Sequence, residues 1–335
     1  MVLVTGGTGL VGSHLLLHLV ENEPSVRAIH RKGSDLEKVK KVFSYYRDEV
    51  QPLFEKIQWV EADLTDIPAL ELAFTDVSFV YHCAALISFD PGDFEKMRKV
   101  NIEGTANIVN LCLSNKVGKL CYVSSIAAIG KSPLGSAATE ENEWTELDAN
   151  VYALSKYRSE MEVWRGAQEG LDVVMVNPGL IIGPGFWDNG SGRLFRMAAK
   201  GQRFYPPGGS GTITVHDTVR MMVLLMRSSV KNERFIAVSE NLGYREILQR
   251  FSKSLGVAPP RLALKFWQLE ILWRLDWLRH FLVKKGRVLT KSAVDSLRQQ
   301  EFYSTEKIKG ALGFEFEPLE ETLHFCCARF KEENP

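Results

Sequence analysis

The sequence predicts an α/β fold, in which a smaller, mainly helical carboxyl-terminal domain is interleaved with a doubly wound parallel sheet. Short β-branched runs alternate with apolar helical stretches over roughly the first 180 residues, as in parallel strands covered by helices on both faces. A glycine-rich loop joins the first run to the first helical stretch. After residue 178 glycine, proline and aromatic residues become dense, which indicates the second domain.

The individual elements follow from these patterns in chain order. Strands are predicted at 2–4, 26–30, 57–61, 77–82, 120–124, 173–177, 213–215 and 234–238. Helices are predicted at 10–20, 97–114 and 151–167, and the chain from 242 to 316 is expected to be mainly helical. Asp217 is expected to cap a Met-rich helix. We therefore predict one domain from 1–178 and 212–240, and a substrate domain from 179–211 and 241–335.

The composition argues against several classes of protein. Lysine plus arginine and aspartate plus glutamate each number 41, so the zero net charge gives no indication of nucleic acid or of an anionic membrane as partner. Five cysteines, without a CxxC spacing or a Cys/His cluster, argue against a disulfide framework and a structural metal. The chain opens on an apolar strand with no basic leader. These observations favour a cytoplasmic protein.

The loop after the first strand carries a glycine pattern that is typical of dinucleotide binding. It can be read as Gly7-x-Gly9-x-x-Gly12 or as Gly6-x-x-Gly9-x-x-Gly12, and in both cases it opens a helix. Glycine permits the tight turn and the close approach of a pyrophosphate to the helix amino terminus. The alternative is a tight loop that binds nothing. The predicted contacts are Gly6, Gly7, Thr8, Gly9, Leu10, Val11 and Gly12.

The end of the second strand indicates which cofactor is bound. An NAD site usually places an acid there for the ribose 2′-hydroxyl, whereas this chain has Arg31 and Lys32, and Asp35 lies too far on. A guanidinium grips phosphate oxygens in a bidentate fork, so the two cations suit a 2′-phosphate. A solvated strand end is the alternative. We expect NADP(H) to be preferred and NAD(H) to be the second choice.

Two further strand ends hold candidate cofactor contacts. Asp63 and Leu64 follow the third strand, where a side-chain acceptor would meet the adenine amino group. Cys83, Ala84 and Ala85 follow the fourth strand and are small enough for the cofactor to pass closely. His82 precedes them, and a buried structural histidine is as good an interpretation as a cofactor contact.

Tyr152 and Lys156 are the predicted catalytic pair. Residues four apart share a helix face, so the ammonium is expected beside the phenol, where it favours the phenolate. This makes the tyrosine a workable acid and base near neutral pH. Tyr303 and Lys307 have the same spacing, but no strand ending in serines precedes them. Position therefore favours Tyr152.

Two more residues complete the candidate catalytic set. A serine hydroxyl must bond the substrate oxygen while hydride moves, and Ser125, after the fifth strand, fits this role, with Ser124 as the alternative. Asn101 is expected to join Lys156 in a proton relay through water. An ordinary exposed polar residue of the helix is the competing interpretation of Asn101.

Together these residues resemble the extended short-chain dehydrogenase/reductases, Rossmann-fold enzymes of the NAD-dependent epimerase/dehydratase superfamily. The likeness covers about the first 240 residues and is greatest to the branch of dihydroflavonol reductases, cinnamoyl-CoA reductases and 3β-hydroxysteroid dehydrogenases. Arg31 and the paired serines match the reductase pattern. The resemblance implies that Pro178 and Gly179 line the nicotinamide.

The sequence differs from that of sugar dehydratases and of nucleotide-sugar epimerases at one place each, and these differences argue against both reactions. Ile126 to Ala128 follow the serines where sugar dehydratases carry a Thr-Asp-Glu set, so no carboxylate is present there to eliminate water. Gly211 to Thr214 lacks the arginine with which nucleotide-sugar epimerases clamp a diphosphate, although Arg193 and Arg196 could supply one. The epimerase is therefore the less favoured hypothesis and is kept as the alternative.

The segment 262–282 mixes tryptophan and phenylalanine with charged residues, and those charges exclude a membrane-spanning helix. Packing of an amphipathic helix in the core is the favoured interpretation. A wall over an apolar substrate comes second, and a helix lying on a membrane or partner comes third.

The sequence therefore predicts an oxidoreductase that transfers hydride between NADP(H) and a carbonyl or secondary alcohol of a mostly apolar small molecule. A nucleotide-sugar epimerase with the same machinery is the second hypothesis, and a non-catalytic dinucleotide-binding regulator is the third. The intact Ser, Tyr and Lys set argues against the regulator. A homodimer is compatible with the sequence, which itself supplies no evidence for one.

Overall fold

A seven-stranded parallel sheet forms the centre of the protein in the computed structural model. The strand order is β10-β6-β5-β4-β1-β2-β3, which is a doubly wound sheet and confirms the predicted fold class. The structure describes residues 1–133, 136–147, 149–283, 287, 289–298 and 300–334.

The described elements have the following bounds. The strands are β1 (Val2–Thr5), β2 (Val26–His30), β3 (Ile57–Glu61), β4 (Phe79–His82), β5 (Lys119–Val123), β6 (Val173–Pro178), β7 (Leu180–Ile182), β8 (Phe204–Tyr205), β9 (Gly209–Thr214), β10 (Glu233–Ala237), β11 (Glu240–Gly243) and β12 (Leu262–Ala263). The first seven helices are α1 (Leu10–Asn22), α2 (Glu37–Ser44), α3 (Val50–Glu55), α4 (Ile67–Ala73), α5 (Phe94–Met97), α6 (Gly104–Ser114) and α7 (Val151–Gln168). The others are α8 (Gly192–Ala199), α9 (Val215–Arg227), α10 (Tyr244–Leu255), α11 (Phe266–Val283), α12 (Lys291–Arg298), α13 (Glu306–Leu312) and α14 (Leu319–Glu333).

The central strands are continuous apolar runs because both faces of the sheet are covered. Every residue of β1, β5 and β6 is buried, as expected for parallel strands between two helical layers. One face packs against α1 and α9, for example through Leu16 and Met222. The other packs against α4, α6 and α7, for example through Ile108 and Val163. The carboxyl ends of β1, β4 and β5 lie side by side at the point where the winding reverses, which is where doubly wound sheets bind ligands.

The carboxyl-terminal part adds a second core beside the main sheet. Strands β7, β9 and β11 form a small sheet, and α8, α10 and α14 pack together around Phe195, Phe251 and Phe330. However, Ile308 of α13 and the nearby Phe314 pack into the core of the large sheet. The division into two domains stays a prediction.

Two expectations about local structure are wrong. Thr214, not Asp217, caps α9, because the Thr214 hydroxyl accepts the Asp217 N–H at 2.9 Å. The Asp217 side chain is buried and instead accepts the Glu317 N–H at 2.9 Å. The helical part of the chain also continues past residue 316, where Pro318 precedes the 15-residue helix α14.

Helix α11 departs furthest from expectation. The favoured interpretation placed it in a core, but Leu269 is its only buried residue, so that interpretation is wrong. Its other large apolar residues are exposed or half-buried.

Candidate active site

The glycine loop forms a cradle that side chains would fill. Gly6 has a φ of 69°, and a Cβ there would lie 2.6 Å from the Ala84 backbone nitrogen. A Cβ on Gly12 would lie 2.1 Å from the Gly6 carbonyl oxygen. Helix α1 begins at Leu10, so the N–H groups of its first turn have no acceptor within the helix. The cradle therefore fits the pyrophosphate of a dinucleotide.

The predicted ribose end is open to solvent. Arg31 and Lys32 are exposed directly after β2. Asp63 accepts hydrogen bonds from the Thr65 hydroxyl at 2.7 Å and the Thr65 N–H at 2.9 Å. The Thr65 hydroxyl contributes most to lowering the pKa of Asp63, and Arg31 adds to it. Leu64 is buried against Gly104. A Cβ added to Gly104 would lie 2.8 Å from the Cβ of Leu64.

The end of β4 is held by a buried histidine. His82 contacts the hydroxyls of Thr5 at 2.6 Å and Thr105 at 3.0 Å. Burial lowers the pKa of His82 to about 3, so the ring is neutral. These contacts support the structural interpretation of His82. Ala84 donates its N–H to the Thr5 hydroxyl at 3.3 Å, which fixes the following residues, including Ala85, beside the glycine loop.

Tyr152 and Ser125 lie near each other. Asn150 caps α7, because its side chain accepts the Ala153 N–H at 2.8 Å, and Tyr152 therefore lies in the first turn of the helix. Burial raises the pKa of the Tyr152 phenol, and the nearby Ser125 hydroxyl opposes that effect. The phenol is consequently protonated at neutral pH and suits a proton donor. The ring of Phe89 packs edge-on against it, with centroids 5.6 Å apart.

Lys156 is buried one turn further along α7, and its ammonium is anchored to β5. The Nζ donates to the Val123 carbonyl at 2.7 Å and to the Tyr122 hydroxyl at 3.0 Å. Burial lowers the pKa of Lys156 to about 8, while Glu160 and Cys83 oppose the shift. The sequence predicted that this ammonium favours the Tyr152 phenolate, but the pKa of Tyr152 is raised, and the hydrogen-bond partners of the ammonium are Tyr122 and Val123. Tyr122 was not predicted as a partner. No spacing rule connects a strand tyrosine to a lysine 34 positions later.

Cys83 lies between Lys156 and the glycine cradle. Burial raises the pKa of its thiol to about 12, and the nearby Lys156 ammonium opposes that shift. Because the adjacent Ala84 lies against Gly6, the cradle and the candidate catalytic residues are neighbours at this edge of the sheet.

Asn101 is buried in a π-helical turn (Arg98–Glu103) between α5 and α6. Its side-chain amide donates to the Leu86 carbonyl at 2.9 Å and the Ser155 hydroxyl at 3.0 Å, and its carbonyl oxygen accepts the Leu86 N–H at 2.7 Å. Because Asn101 is buried, its interpretation as an ordinary exposed polar residue of the helix is wrong. These contacts fix the loop after β4, and the proton relay with Lys156 stays a prediction.

A buried ion pair behind the serines was not predicted from the sequence. The Glu160 carboxylate pairs with Arg234 at 3.1 Å and accepts from the Asn177 amide. Asn177 also donates to the Ser125 carbonyl at 3.0 Å, so the network fixes the backbone of Ser125. Glu160 lies four residues after Lys156 on the same helix, and this spacing is the signal that could have revealed it.

Pro178 and Gly179 lie where β6 meets the small sheet. Pro178 ends β6, and Gly179 donates its N–H to the Ala237 carbonyl at 3.1 Å. A Cβ on Gly179 would lie 2.3 Å from the Gly211 carbonyl oxygen, so β9 approaches this turn closely. Their contact with the nicotinamide stays a prediction.

The second Tyr/Lys pair does not share a helix face. Tyr303 precedes α13 and exchanges backbone hydrogen bonds with the Asn241 side chain. Lys307 pairs with Glu233 at 2.6 Å. This geometry supports the choice of Tyr152.

The described residues contain no group of three or more His, Cys, Asp or Glu that could hold a metal ion. Within the same ranges, no helix is long and apolar enough to cross a membrane. All five cysteines are free thiols, and four of them are buried.

The sheet, the glycine cradle and the catalytic set define an NAD(P)-dependent enzyme of the extended short-chain dehydrogenase/reductase type. The chain belongs to the NAD dependent epimerase/dehydratase family, whose model matches residues 2–237. The resemblance inferred from the motifs is thereby confirmed.

Relatives and a solved structure agree with this placement. Sterol demethylase protein B of Methylococcus capsulatus is 30% identical over 78% of this chain and 76% of its own. A putative dihydroflavonol 4-reductase of Synechocystis is 29% identical over 96% of this chain and 91% of its own. The crystal structure of gox2253 is 27% identical, with a TM-score of 0.83 over 99% of this chain and 98% of that one.

Proposed function

We propose that this protein transfers hydride between NADP(H) and the carbonyl or secondary alcohol of a largely apolar small molecule. The observation that carries the proposal is the proximity of the Tyr152 phenol to the Ser125 hydroxyl, on the helix that also holds the buried Lys156. A regulator that only binds dinucleotide would not require these three groups together.

In this reaction a bound NADP(H) provides or accepts the hydride, while residues of the protein bind the substrate oxygen and transfer the proton. In the reducing direction Ser125 holds the carbonyl oxygen, and Tyr152 gives that oxygen its phenolic proton as the carbon is reduced. The Lys156 ammonium stabilises the phenolate that remains and binds the nicotinamide ribose. Asn101 keeps the loop after β4 in place.

The preference for NADP(H) over NAD(H) belongs to this proposal. Arg31 and Lys32 are exposed after β2 and available to a 2′-phosphate, while Asp63 is engaged by Thr65. An acid that would hold the ribose 2′-hydroxyl is missing from the described end of β2.

The apolar substrate is supported by the surroundings of Tyr152. The exposed Phe89 packs against the phenol, and β9 contributes no cation near Gly179. Arg196 pairs with Asp188 at 2.9 Å, and Arg193 donates to the Asp188 carbonyl at 2.9 Å, so both candidate diphosphate ligands already have partners. The relative named as a dihydroflavonol reductase points the same way.

Calorimetry and turnover separate this proposal from a nucleotide-sugar epimerase. The protein loaded with NADP is titrated with aromatic and aliphatic ketones and, separately, with a uridine-diphosphate sugar, and NADPH consumption is followed with each ketone. We expect ketone binding and turnover. Micromolar binding of the sugar nucleotide, lost in Arg193→Ala or Arg196→Ala, would instead establish the epimerase.

Since the thiols are free and NADP(H) is a cytoplasmic reductant, we also propose a cytoplasmic location.

A further inference from the structure

Helix α11 exposes an unusual amount of apolar surface. Ten of its 18 residues are large hydrophobic side chains that are exposed, among them Trp267 at 59%, Leu275 at 55% and Phe281 at 70%. A contiguous apolar surface of this kind marks a binding face on a water-exposed protein.

The exposed side chains follow the helical repeat. Trp267, Ile271, Leu275, Leu278 and Leu282 recur every three or four residues, so they line one outward face.

The inward face holds the acids instead. Glu270 pairs with Arg274 at 2.7 Å and Asp276 with Arg279 at 2.8 Å, and the two carboxylate side chains are only 27% and 11% exposed. Leu269, at 1% exposure, lies next to them. The usual arrangement of a surface helix, apolar side in and polar side out, is therefore reversed.

In the sequence, cations are frequent in and around this helix. From Arg261 to Arg287 the sequence holds seven lysines and arginines against two acids, a net charge of +5 in a chain whose total is zero. The rest of the chain accordingly carries −5. Exposed tryptophan, phenylalanine and leucine combined with local positive charge is the composition of helices that lie in the plane of an anionic membrane.

A second copy of the chain fits this face less well. A two-fold interface brings the same patch of both subunits together, so the two positive segments would face each other. An anionic bilayer offers both the apolar layer and the opposite charge.

The helix is also connected to the catalytic tyrosine. Asp276 accepts the Leu289 N–H at 3.0 Å, and the adjacent Thr290 donates its hydroxyl to the Phe89 carbonyl at 3.0 Å. Phe89 is the residue whose ring packs against Tyr152. The middle of α11 is therefore connected, through these hydrogen bonds, to the residue that packs against Tyr152.

We infer that α11 is a peripheral membrane-binding helix, which inserts its outward face into an anionic bilayer surface while the cations that flank it in the sequence, such as the exposed Arg261 and Lys265, contact the lipid phosphates. Apolar carbonyl compounds dissolved in that bilayer then reach Tyr152 past Phe89. The docking surface stands on α11 alone, whereas its use for substrate delivery rests on the proposed function.

Vesicle sedimentation tests the inference with the full chain. Vesicles of phosphatidylcholine are compared with vesicles containing about one-third phosphatidylglycerol. We expect the protein to sediment with the anionic vesicles, to be released by high salt, and to shift its tryptophan emission to the blue. The Leu275→Glu/Leu278→Glu variant should lose about tenfold or more of the bound fraction. Leu72→Glu, at a site that is 73% exposed on α4, is the matched control and should bind like the unaltered protein.

Three outcomes would overturn the inference. They are failure to sediment with either vesicle, undiminished binding by the double variant, and a dimer in analytical ultracentrifugation that the double variant dissociates. Turnover of a water-soluble ketone without vesicles keeps the two proposals apart. Turnover without vesicle binding refutes only the docking surface, and vesicle binding without turnover of any ketone refutes only the proposed reaction.

Discussion

At the scale of single residues, burial shifts the pKa values of the Tyr152 phenol and the Lys156 ammonium in opposite directions. Removal from water raises the pKa of the phenol, which keeps its proton at neutral pH, and lowers the pKa of the ammonium to about 8. The lysine is therefore charged at neutral pH but close to losing its proton. As the pH rises above neutral, we therefore expect the titration of Lys156 to affect the activity before that of Tyr152 does.

Replacement of Tyr152 by phenylalanine should leave cofactor binding intact and lower turnover by roughly 10²-fold or more, the usual contribution of a positioned acid. Steady-state kinetics and NADPH titration measure both quantities. Tyr303→Phe is the matched control, because it alters the tyrosine of the other pair, outside the site. A larger loss in Tyr303→Phe than in Tyr152→Phe would place the active site elsewhere.

Replacement of Arg31 by alanine should weaken NADPH binding by about tenfold or more while leaving NADH binding unchanged, because the guanidinium is expected to contact the 2′-phosphate. Fluorescence titration with each cofactor provides the ratio. Arg47→Ala, an exposed arginine paired with Glu21, serves as control. Equal affinity of the unaltered protein for the two cofactors would refute the preference.

The pH dependence follows from Lys156. We expect kcat/KM to fall as pH rises through about 8, because the ammonium then loses the charge that stabilises the Tyr152 phenolate. In the same range the free energy of unfolding should increase, since the unfolded lysine, with its ordinary pKa of 10.5, still binds a proton that the folded one has lost. Kinetic and denaturation profiles together test this. Activity and stability falling in parallel would contradict it.

At the scale of elements, α7 carries most of the site. Tyr152, Lys156 and Glu160 recur at four-residue intervals along it, and the last of these ties the helix to β6 and β10 through Asn177 and Arg234. The Glu160 ion pair is buried, so removal of one partner leaves an uncompensated charge.

Glu160→Ala should therefore cost about 3 kcal/mol of the free energy of unfolding. Glu162→Ala, which breaks a part-exposed pair with Arg165 on the same helix, should cost less than about 1 kcal/mol. Urea denaturation compares the two variants. Equal losses would mean that the Glu160 network does not stabilise the serine loop.

The elements also show which predictions the sequence supports. β2 and β3 were predicted to the residue, because each is a short stretch with two β-branched residues, Val26 and Ile29 in β2 and Ile57 and Val60 in β3. β9 starts four residues earlier than predicted, since its Gly209-Ser-Gly211 start lacks that signal. Helix α11 was misjudged because a row of tryptophan and leucine has the same composition whether it packs inward or outward. Which face is buried depends on the rest of the fold.

The candidate site was predictable only in part, for a related reason. Tyr152, Ser125 and the glycine loop belong to local spacings that a single sequence displays. Tyr122, which binds Lys156, Asn177, which binds Ser125, and Arg234, which binds Glu160, come from separate strands. Only the sheet topology brings them to the site. Neutral net charge likewise concealed the positive segment around α11, because the remainder of the chain compensates it.

At the scale of the whole molecule, the sheet places a dinucleotide cradle and a Tyr/Ser/Lys set at one edge, with an apolar helix beside the entrance. The central claim is that this assembly reduces an apolar carbonyl compound with NADPH. The same cofactor could serve an epimerase without being consumed, so the fate of the hydride distinguishes the two reactions.

The most direct measurement follows that hydride. The protein is incubated with an aromatic ketone and NADPH deuterated at the reactive carbon of the nicotinamide, and the product is analysed by mass spectrometry. We predict an alcohol that carries one deuterium on its carbinol carbon, formed in step with NADPH consumption and absent with Tyr152→Phe. Conversion of a uridine-diphosphate sugar to its epimer without net consumption of cofactor, and no labelled alcohol from any ketone, would contradict the claim.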